Sequence, residues 1–380
     1  MIHPLLPSDI RTPAYILDVK SLKKNLLTVQ LLKKETGAKI LLATKAWAMP
    51  AAFSLMKEVL DGTTASGEYE AKMGHDEFGK EVHVYSPGYT DGEIQRLLKL
   101  SDHIYFNSPS QFNKYAHLVK KAGLKVGVRI NPGYSSATLG GQLYDPCAPG
   151  SRFGITKGDC DLIPWNEVDI LHAHALCEAR EEGSIGLIQH VTKNFAEQLK
   201  IVKAVNFGGG HFINRPGYKI ELLIEAIQKF RNTFRGEIIL EPGAGLVVNT
   251  GWLISTVLDI HRNIQDIAIL DTSASTHMPD VLEVPYRPTI IGAGKPGEYP
   301  HTYILGGKTC MTGDVIGEYS FKNPLSAGDR VIFTDMMQYS FVKNTTFNGT
   351  PLPDLGILYE NGSYEVVGSF GYNDFRKRLG

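Results

Sequence analysis

The chain has 380 residues, 43% of them hydrophobic and 21% charged, with a formal net charge of −1 and both signs scattered along it. That length suits one large domain plus a smaller one, and the even charge balance gives no footprint for nucleic acid or an acidic membrane surface, so the expected ligand is a small molecule. Cys147, Cys160, Cys177 and Cys310 form no Cys-x-x-Cys pair, which argues against a disulfide framework or a structural zinc site. No apolar run reaches membrane-spanning length, and the N-terminus lacks a basic segment followed by an apolar one; the expected location is the cytoplasm.

Ala14–Asp18 reads as a strand, and a helix opens at Ser21 with Leu22, Leu26, Val29 and Leu32 on one face and Gly37 as its stop. Strands and helices then alternate. Predicted strands cover 39–44, 61–66, 82–86, 103–107, 125–130, 168–174, 203–207 and 236–241, with helical periodicity over 51–60, 92–100, 109–122, 188–200 and 218–234. This is an α/β pattern, and it fits a closed (β/α)8 barrel, which takes roughly 200 to 250 residues, better than an open doubly wound sheet. The Pro-, Gly- and Ser-rich stretch 131–165 is too long for a simple turn and is expected to be an active-site excursion. Past residue 250, strand-like runs at 253–259, 267–270, 303–305 and 330–334 are separated by Gly, Pro and Asp turns, which predicts a mostly β domain. The expected division is a barrel over 20–248 and a β domain made of 1–19 and 249–380.

In a (β/α)8 barrel, chemistry sits at the C-terminal ends of the strands. The residues just past each predicted run include Lys45, Ser66, Asn107, Arg129, Asn131, His174, Gly208–Gly210 and Glu241. Lys45, in Lys39-Ile-Leu-Leu-Ala-Thr-Lys-Ala-Trp47, is either a strand-end lysine reaching solvent or a chemical group. Gly208–Gly210 is either a tight turn or a set of N–H groups offered to an anion. Glu241, closing an apolar strand, needs a cationic or protonated partner, which an ordinary salt bridge or a ligand could supply. His172 and His174 lie two apart on a strand and so share a face. They are packed histidines or, with Cys177 as the only neighbouring soft ligand, the start of a metal-dependent hydrolase site. Taken together, a lysine, a glycine loop and a carboxylate at one barrel mouth match the needs of pyridoxal 5'-phosphate: an amine for covalent attachment, N–H donors for the phosphate, and an anion that keeps the ring nitrogen protonated. On that reading His174 stacks against the ring.

Lys45 in Ala-Thr-Lys-Ala, His174 in His-Ala-His-Ala-Leu-Cys-Glu178, the Gly208–Gly210 loop and Glu241-Pro-Gly243 resemble the alanine-racemase-like (fold type III) pyridoxal-phosphate decarboxylases. The stretches Asp271–Pro288, Gly306–Asp314 and Asp335–Gly349 are similar to the carboxynorspermidine/carboxyspermidine decarboxylase branch, and the similarity runs over essentially the whole chain. The resemblance implies a homodimer with shared active sites, in which Cys310 reaches across the interface to return a proton to the carbon that has lost CO2. It further implies that Tyr339 bonds the cofactor phosphate, that Asp280 contacts the substrate, and that Asp314 lies in the mouth; Ser66 and Gly243 complete the expected cofactor shell. Read from sequence alone, Cys310 is equally a small core residue. One departure stands out. After Glu241-Pro-Gly243 comes Ala244, where amino-acid decarboxylases of the superfamily carry arginine and the carboxynorspermidine branch carries glutamate. Without that guanidinium a second substrate carboxylate has no fork to grip it, which argues against diaminopimelate. Without that glutamate, Asp280, Glu283 and Asp314 are the acids left for a cationic tail. The expected reaction is decarboxylation of carboxynorspermidine or carboxyspermidine to norspermidine or spermidine. A diaminopimelate- or ornithine-type decarboxylase is the nearest alternative, and a racemase, a metal-dependent hydrolase and an inactive cofactor-binding regulator are more distant ones.

Overall fold

The computed structural model describes residues 6, 7, 9–136 and 145–380; positions 137–144 of the predicted excursion lie outside the described residues. The chain divides into two compact units, Asn25–Leu246 and the combination of 1–24 with 247–380. The first strand, β1 (Ala14–Asp18), belongs to the second of these.

The larger unit is a closed barrel of eight parallel strands: β2 (Lys39–Ala43), β3 (Gly62–Ala65), β4 (Glu81–Tyr85), β5 (His103–Phe106), β6 (Lys125–Arg129), β7 (Ile170–His172), β8 (Ala204–Asn206) and β9 (Glu237–Leu240). It is closed by β2 against β9, with Lys39 opposite Ile239 and Ile40 opposite Leu240. Each strand falls inside its predicted run except for Glu81, one residue outside. The predicted runs are longer because the apolar pattern continues past the ladder into the residues that form the mouth.

Helices Asp91–Leu97, Pro109–Lys121, Glu181–Asn194 and Ile220–Phe230 cover the barrel. Thr90 opens the first with a capping box to Glu93, and Ser108 caps the second ahead of Pro109, each satisfying backbone N–H groups that have no partner within the helix. Two expectations are corrected. The helix predicted over 51–60 shrinks to a 3-10 turn at Pro50–Ala52 and one short helical stretch, Phe53–Lys57. A helix the sequence reading missed, Glu68–Met73, continues as a wide turn over Gly74–Phe78. Its glycines read as breakers, yet Gly74 is there for packing: a Cβ on it would lie 2.2 Å from Thr63 Oγ1 on β3.

Inside the barrel, Leu41, Tyr105, Ile170, Ala204 and Ile239 form a buried cluster, but the neighbouring inward positions are polar. His83, Arg129, His172, Asn206 and Glu241 are all buried. Buried polar groups persist only when they bond to one another, so this barrel core is a hydrogen-bonded interior as much as an apolar one.

The second unit is a mostly β domain. Its further strands are β10 (Gly251–Asn263), β11 (Gln265–Leu270), β12 (Ala293–Gly294), β13 (His301–Gly306), β14 (Val315–Phe321), β15 (Arg330–Thr334), β16 (Asp354–Leu358) and β17 (Tyr364–Gly368). They run in the order β12-β14-β13-β11-β10-β1-β16-β17, with β15 also on β10. The first half of β10 pairs with β1 and β15; after a bulge between Val257 and Asp259 the strand continues against β11. Bulges of this kind re-aim a strand, and here one long strand serves two pairing surfaces. Leu6, Ile10, Ala14, Ile16, Ile254, Ile332 and Leu358 make its core cluster. Among the described residues no helix is long and apolar enough to cross a membrane.

Gly127 on β6 leaves room for Tyr105 on β5, since an added Cβ would sit 2.1 Å from the Tyr105 ring carbon Cδ1. Gly127→Ala is expected to destabilise the protein by about 1–3 kcal/mol through overpacking. Urea unfolding with an unchanged m-value is the measurement that checks it.

Candidate active site

At the end of β2, Thr44 leaves the ladder with both its N–H and its hydroxyl bonded to Thr64 O, at 3.2 and 3.1 Å. The turn that follows carries Lys45. It packs against the turn of Glu241-Pro-Gly243: Ala43 N–H donates to Pro242 O at 3.2 Å, and a Cβ on Gly243 would fall 2.5 Å from Ala46 Cβ. Gly243 therefore allows two site-bearing turns to touch. Lys45 opens to solvent but is surrounded by the walls of the mouth. Lost hydration, then the Arg129 guanidinium, push its ammonium below 10.5, against the pull of Glu241 and Glu70. A lysine whose amine is easier to deprotonate is the kind that attacks carbonyl carbons.

Glu241 is buried at the end of β9, with Oε1 accepting from Asn206 Nδ2 at 2.7 Å and Oε2 3.5 Å from His172 Nε2. Burial alone would raise its pKa, but His172 and the Asn206 amide outweigh that and hold it below 4.5. His172 is itself pushed toward the neutral form by burial and by the Arg129 and Lys45 charges. The pair is best described as an ionised carboxylate beside a neutral imidazole, with Asn206 as the firm donor.

The glycine loop is where the structure corrects the sequence reading most. Gly208 and Gly210 adopt positive φ, 66° and 86°, but the N–H of Gly208 donates to Asn206 Oδ1 at 2.8 Å and that of Gly209 to His174 Nδ1 at 2.9 Å. Two of the three expected donors are thus engaged within the protein. What glycine provides is close approach: a Cβ on Gly208 would lie 2.6 Å from His174 Cβ, and one on Gly209 would lie 2.7 Å from Glu241 O. His174 is held neutral, by burial first and then by Lys45 and Arg129. With Nδ1 accepting, its proton sits on Nε2.

Arg129 donates to His174 O at 2.9 Å and lies over the rings of Tyr85 and Phe153, each at 4.5 Å. Phe153 comes from the predicted excursion, and the next residue, Gly154, donates to Asn107 Oδ1 at 2.6 Å; the excursion thus reaches the mouth. Asn107 and Asn131 serve as scaffolding, Asn107 by accepting from Tyr85 and Asn131 by ordering its own turn. Ser66 is exposed at the rim with its N–H given to Glu70. Sequence reasoning missed Asn206, Glu70 and Phe153. The position of Asn206, two residues ahead of the glycine run, is the signal that could have found it.

The site residues of the β domain form a second group. Cys310 is exposed, its N–H donating to Asn348 Oδ1 at 2.8 Å. Asp314, expected to face a substrate, is buried and instead ties the Cys310 loop down. It accepts from Thr309 Oγ1 at 2.6 Å, from Thr309 and Ser275 N–H at 3.2 Å each, and from Ser273 Oγ at 2.8 Å. Asp280 and Glu283 both bind the ammonium of Lys343, Asp280 at 2.5 Å. Asp271 is committed to Ser255, Thr256 and Thr12. Tyr339 opens a 3-10 turn at φ 38°, a conformation that costs a non-glycine residue of order 1 kcal/mol and tends to persist at functional sites.

The family model described as "Pyridoxal-dependent decarboxylase, C-terminal sheet domain" matches residues 14–337. The chain belongs to the pyridoxal-dependent decarboxylases. A carboxynorspermidine/carboxyspermidine decarboxylase of Campylobacter jejuni is 38% identical, covering 97% of this chain and 98% of the relative. A carboxyaminopropylagmatine decarboxylase of Synechocystis is also 38% identical, over 98% of this chain and 96% of its own. Among solved structures, a Campylobacter jejuni carboxynorspermidine decarboxylase complexed with norspermidine superposes with a TM-score of 0.90 at 37% identity, covering 97% of this chain and 100% of that one. Diaminopimelate decarboxylases are among the relatives at 25% identity and below.

The residues of this barrel mouth fit the family's cofactor. The donor set holds a lysine of lowered pKa, a buried ionised carboxylate and close-packed glycines. Neither ring nitrogen of His172 makes a well-formed hydrogen bond among the described residues, which leaves polar capacity beside Glu241. His172, His174 and Glu241 also come within metal-ligating distance of one another. However, the Lys45 and Arg129 cations already bear on both histidines, and a divalent ion there would add a third positive centre to the same small volume.

Two outcomes are expected here. Borohydride reduction should fix the cofactor on Lys45 in the wild type and leave Lys45→Ala unlabelled, as read by peptide mass. Because the folded pKa of Glu241 lies below 4.5, its ionised form adds stability that is complete above 4.5 and is lost as pH falls through the folded value. Wild type should therefore lose more stability on acidification below pH 4.5 than Glu241→Gln, a difference that urea unfolding at several pH values resolves.

Proposed function

We propose that the chain removes the α-carboxylate of carboxynorspermidine and carboxyspermidine as CO2, yielding norspermidine and spermidine, with pyridoxal 5'-phosphate held at the barrel mouth. The observation that carries this reading is the pairing, at one mouth, of Lys45 with lowered pKa and the buried, ionised Glu241. The full-length 38% identity to a decarboxylase of these two substrates supports the substrate class. When bound, the cofactor supplies an electron sink for the pair left behind by departing CO2.

Within the proposal, Lys45 Nζ is the covalent anchor and Glu241 is an acceptor that keeps a proton on the ring nitrogen. Neutral His174, with its proton on Nε2, would help to hold the ring. Gly208–Gly210, Gly243, Ser66 and Tyr339 are the residues that would line the cofactor. Cys310 Sγ returns a proton to Cα across a homodimer interface, and Asp314 acts by holding the Cys310 loop. Asp280 and Glu283 are the acids for the substrate's cationic tail, since they already bind one alkylammonium, that of Lys343. Ala244 leaves no guanidinium beside Glu241-Pro-Gly243 for a second carboxylate. The four free cysteines suit a reducing cytoplasm.

A second reading has its own support: the carboxyaminopropylagmatine decarboxylase is as similar as the triamine enzyme, and a guanidinium tail would suit the same carboxylate pair. CO2 release from carboxynorspermidine, carboxyspermidine, carboxyaminopropylagmatine and diaminopimelate, compared side by side, tests both. The expected order of kcat/KM puts the two carboxylated triamines first and diaminopimelate lower by about 100-fold or more. A leading rate on diaminopimelate would overturn the proposal. Asp280→Asn should raise KM for the triamines about tenfold with kcat nearly unchanged, because a tail contact is made equally in the ground and transition states. Mixing inactive Lys45→Ala and Cys310→Ala subunits should restore partial activity.

A further inference from the structure

The polar interior of the barrel forms one continuous chain. Asn206 Nδ2 donates to Glu241 Oε1 at 2.7 Å and contacts Tyr105 Oη at 3.0 Å. Tyr105 Oη is 2.8 Å from His83 Nδ1, and His83 Nε2 is 3.3 Å from Glu81 Oε2. Glu81 Oε1 then meets Lys39 Nζ at 2.6 Å, which also pairs with Glu237 Oε1 at 2.9 Å. Lys39, Glu81 and Glu237 open their strands and Glu241 follows the end of β9, so the chain spans the barrel from its N-terminal end to the mouth.

Counting protons fixes the direction of every link. The amide nitrogen of Asn206 can only donate, and its two hydrogens go to Glu241 and Tyr105. Its orientation is set independently, because Oδ1 accepts from Gly208 N–H at 2.8 Å; reversing the amide would put oxygen against a carboxylate. Tyr105 Oη therefore accepts from Asn206 and uses its own proton on His83 Nδ1. That assigns the His83 proton to Nε2, which donates to Glu81. The opposite tautomer would leave the buried Tyr105 hydroxyl proton without an acceptor, at a cost of roughly 1–3 kcal/mol. His103 stacks on His83 at 3.8 Å and is kept neutral by burial. Glu81, His83 and His103 have the composition of a metal site, but Lys39 already supplies the cation at that end.

We infer that Tyr105, His83 and Glu81 are positioning residues for the decarboxylation: together with the Gly208 N–H they hold the Asn206 amide with its donor toward Glu241, so that Glu241 presents itself to the cofactor as a charged acceptor. This rests on the proposed cofactor reading for its catalytic part and on the hydrogen-bond geometry alone for its structural part. None of the three touches the reacting atoms, and the sequence reading assigned none of them a role.

The test has two arms. Nitrogen-15 NMR of histidine-labelled wild-type protein without cofactor should show His83 as the Nε2–H tautomer, converting to a mixture in Tyr105→Phe. An Nδ1–H tautomer in wild type would overturn the inference whatever the enzyme's substrate. In cofactor-loaded protein, Tyr105→Phe should lower kcat about tenfold, the rate equivalent of one lost hydrogen bond, with KM within about twofold. Cofactor affinity, read by equilibrium dialysis, should weaken in Tyr105→Phe and weaken less in His83→Gln, whose amide oxygen can still accept from Tyr105. Unchanged kcat and cofactor affinity in Tyr105→Phe, in a preparation whose wild type decarboxylates its substrate, would also overturn it. Inactivity of the wild type on every substrate in the panel would instead count against the proposed function, leaving the NMR arm to decide the relay.

Discussion

The site depends on the contact between Asn206 and Glu241. A carboxylate buried at the end of an apolar strand would ordinarily take up a proton, because losing its hydration costs several kcal/mol. His172 and the Asn206 amide, the latter 2.7 Å away, reverse that preference. The same amide binds the Gly208 N–H, so one side chain sets both the charge of the carboxylate and the shape of the glycine loop. Remove its orientation and the mouth loses its organised anion and its tight turn together.

That arrangement explains why this barrel interior is polar. An apolar core would pack equally well, but it would leave the second Asn206 amide hydrogen without an acceptor and the Gly208 N–H alone to orient the side chain. Asn206, Tyr105, His83 and Glu81 satisfy one another in turn, and the run ends in an ion pair at the other end of the barrel, where Lys39 and Glu81 are partly exposed. Satisfied networks of this kind specify one arrangement, whereas partly satisfied ones are costly. The glycines at 127, 208 and 209 belong to the same design, since each gives way to a neighbouring ring or carbonyl where a Cβ would collide.

Much of this fold was legible in the sequence. Alternating periodicity located all eight barrel strands, because parallel strands covered by helices read as short apolar runs. It also located Lys45, His174 and Glu241, because mouth residues follow directly on those runs. The helix Glu68–Met73 was not legible, since Gly67 and Gly74 beside it imitate turns although Gly74 serves packing. The relay was hidden for a different reason: His83, Tyr105 and Asn206 lie within the predicted strands, where side-chain identity shows that a residue is polar but not which face it occupies or what it meets across the barrel. Asp314 shows the reverse error. The resemblance implied a place in the mouth and left it as a candidate acid for the substrate's tail, and only the geometry shows its oxygens filled by Ser273, Ser275 and Thr309.

The two groups of acids divide the chemical labour by how fully they are satisfied. Glu241, Asp271 and Asp314 are buried and bonded to fixed donors of the fold. Charges bound as Asp271 and Asp314 are cannot be recruited to a new cation without breaking the structure around them, so these two set shape, whereas Glu241 is firmly bonded only through Oε1. Asp280 and Glu283 are bonded instead to Lys343, a long flexible side chain whose ammonium can be exchanged for another at small cost, because the ion pair is partly exposed and worth little. An incoming amine of the same kind replaces like with like, whereas a carboxylate would meet two anions. Asp280 and Glu283 are therefore the acids that the fold leaves exchangeable, in contrast to Asp271 and Asp314.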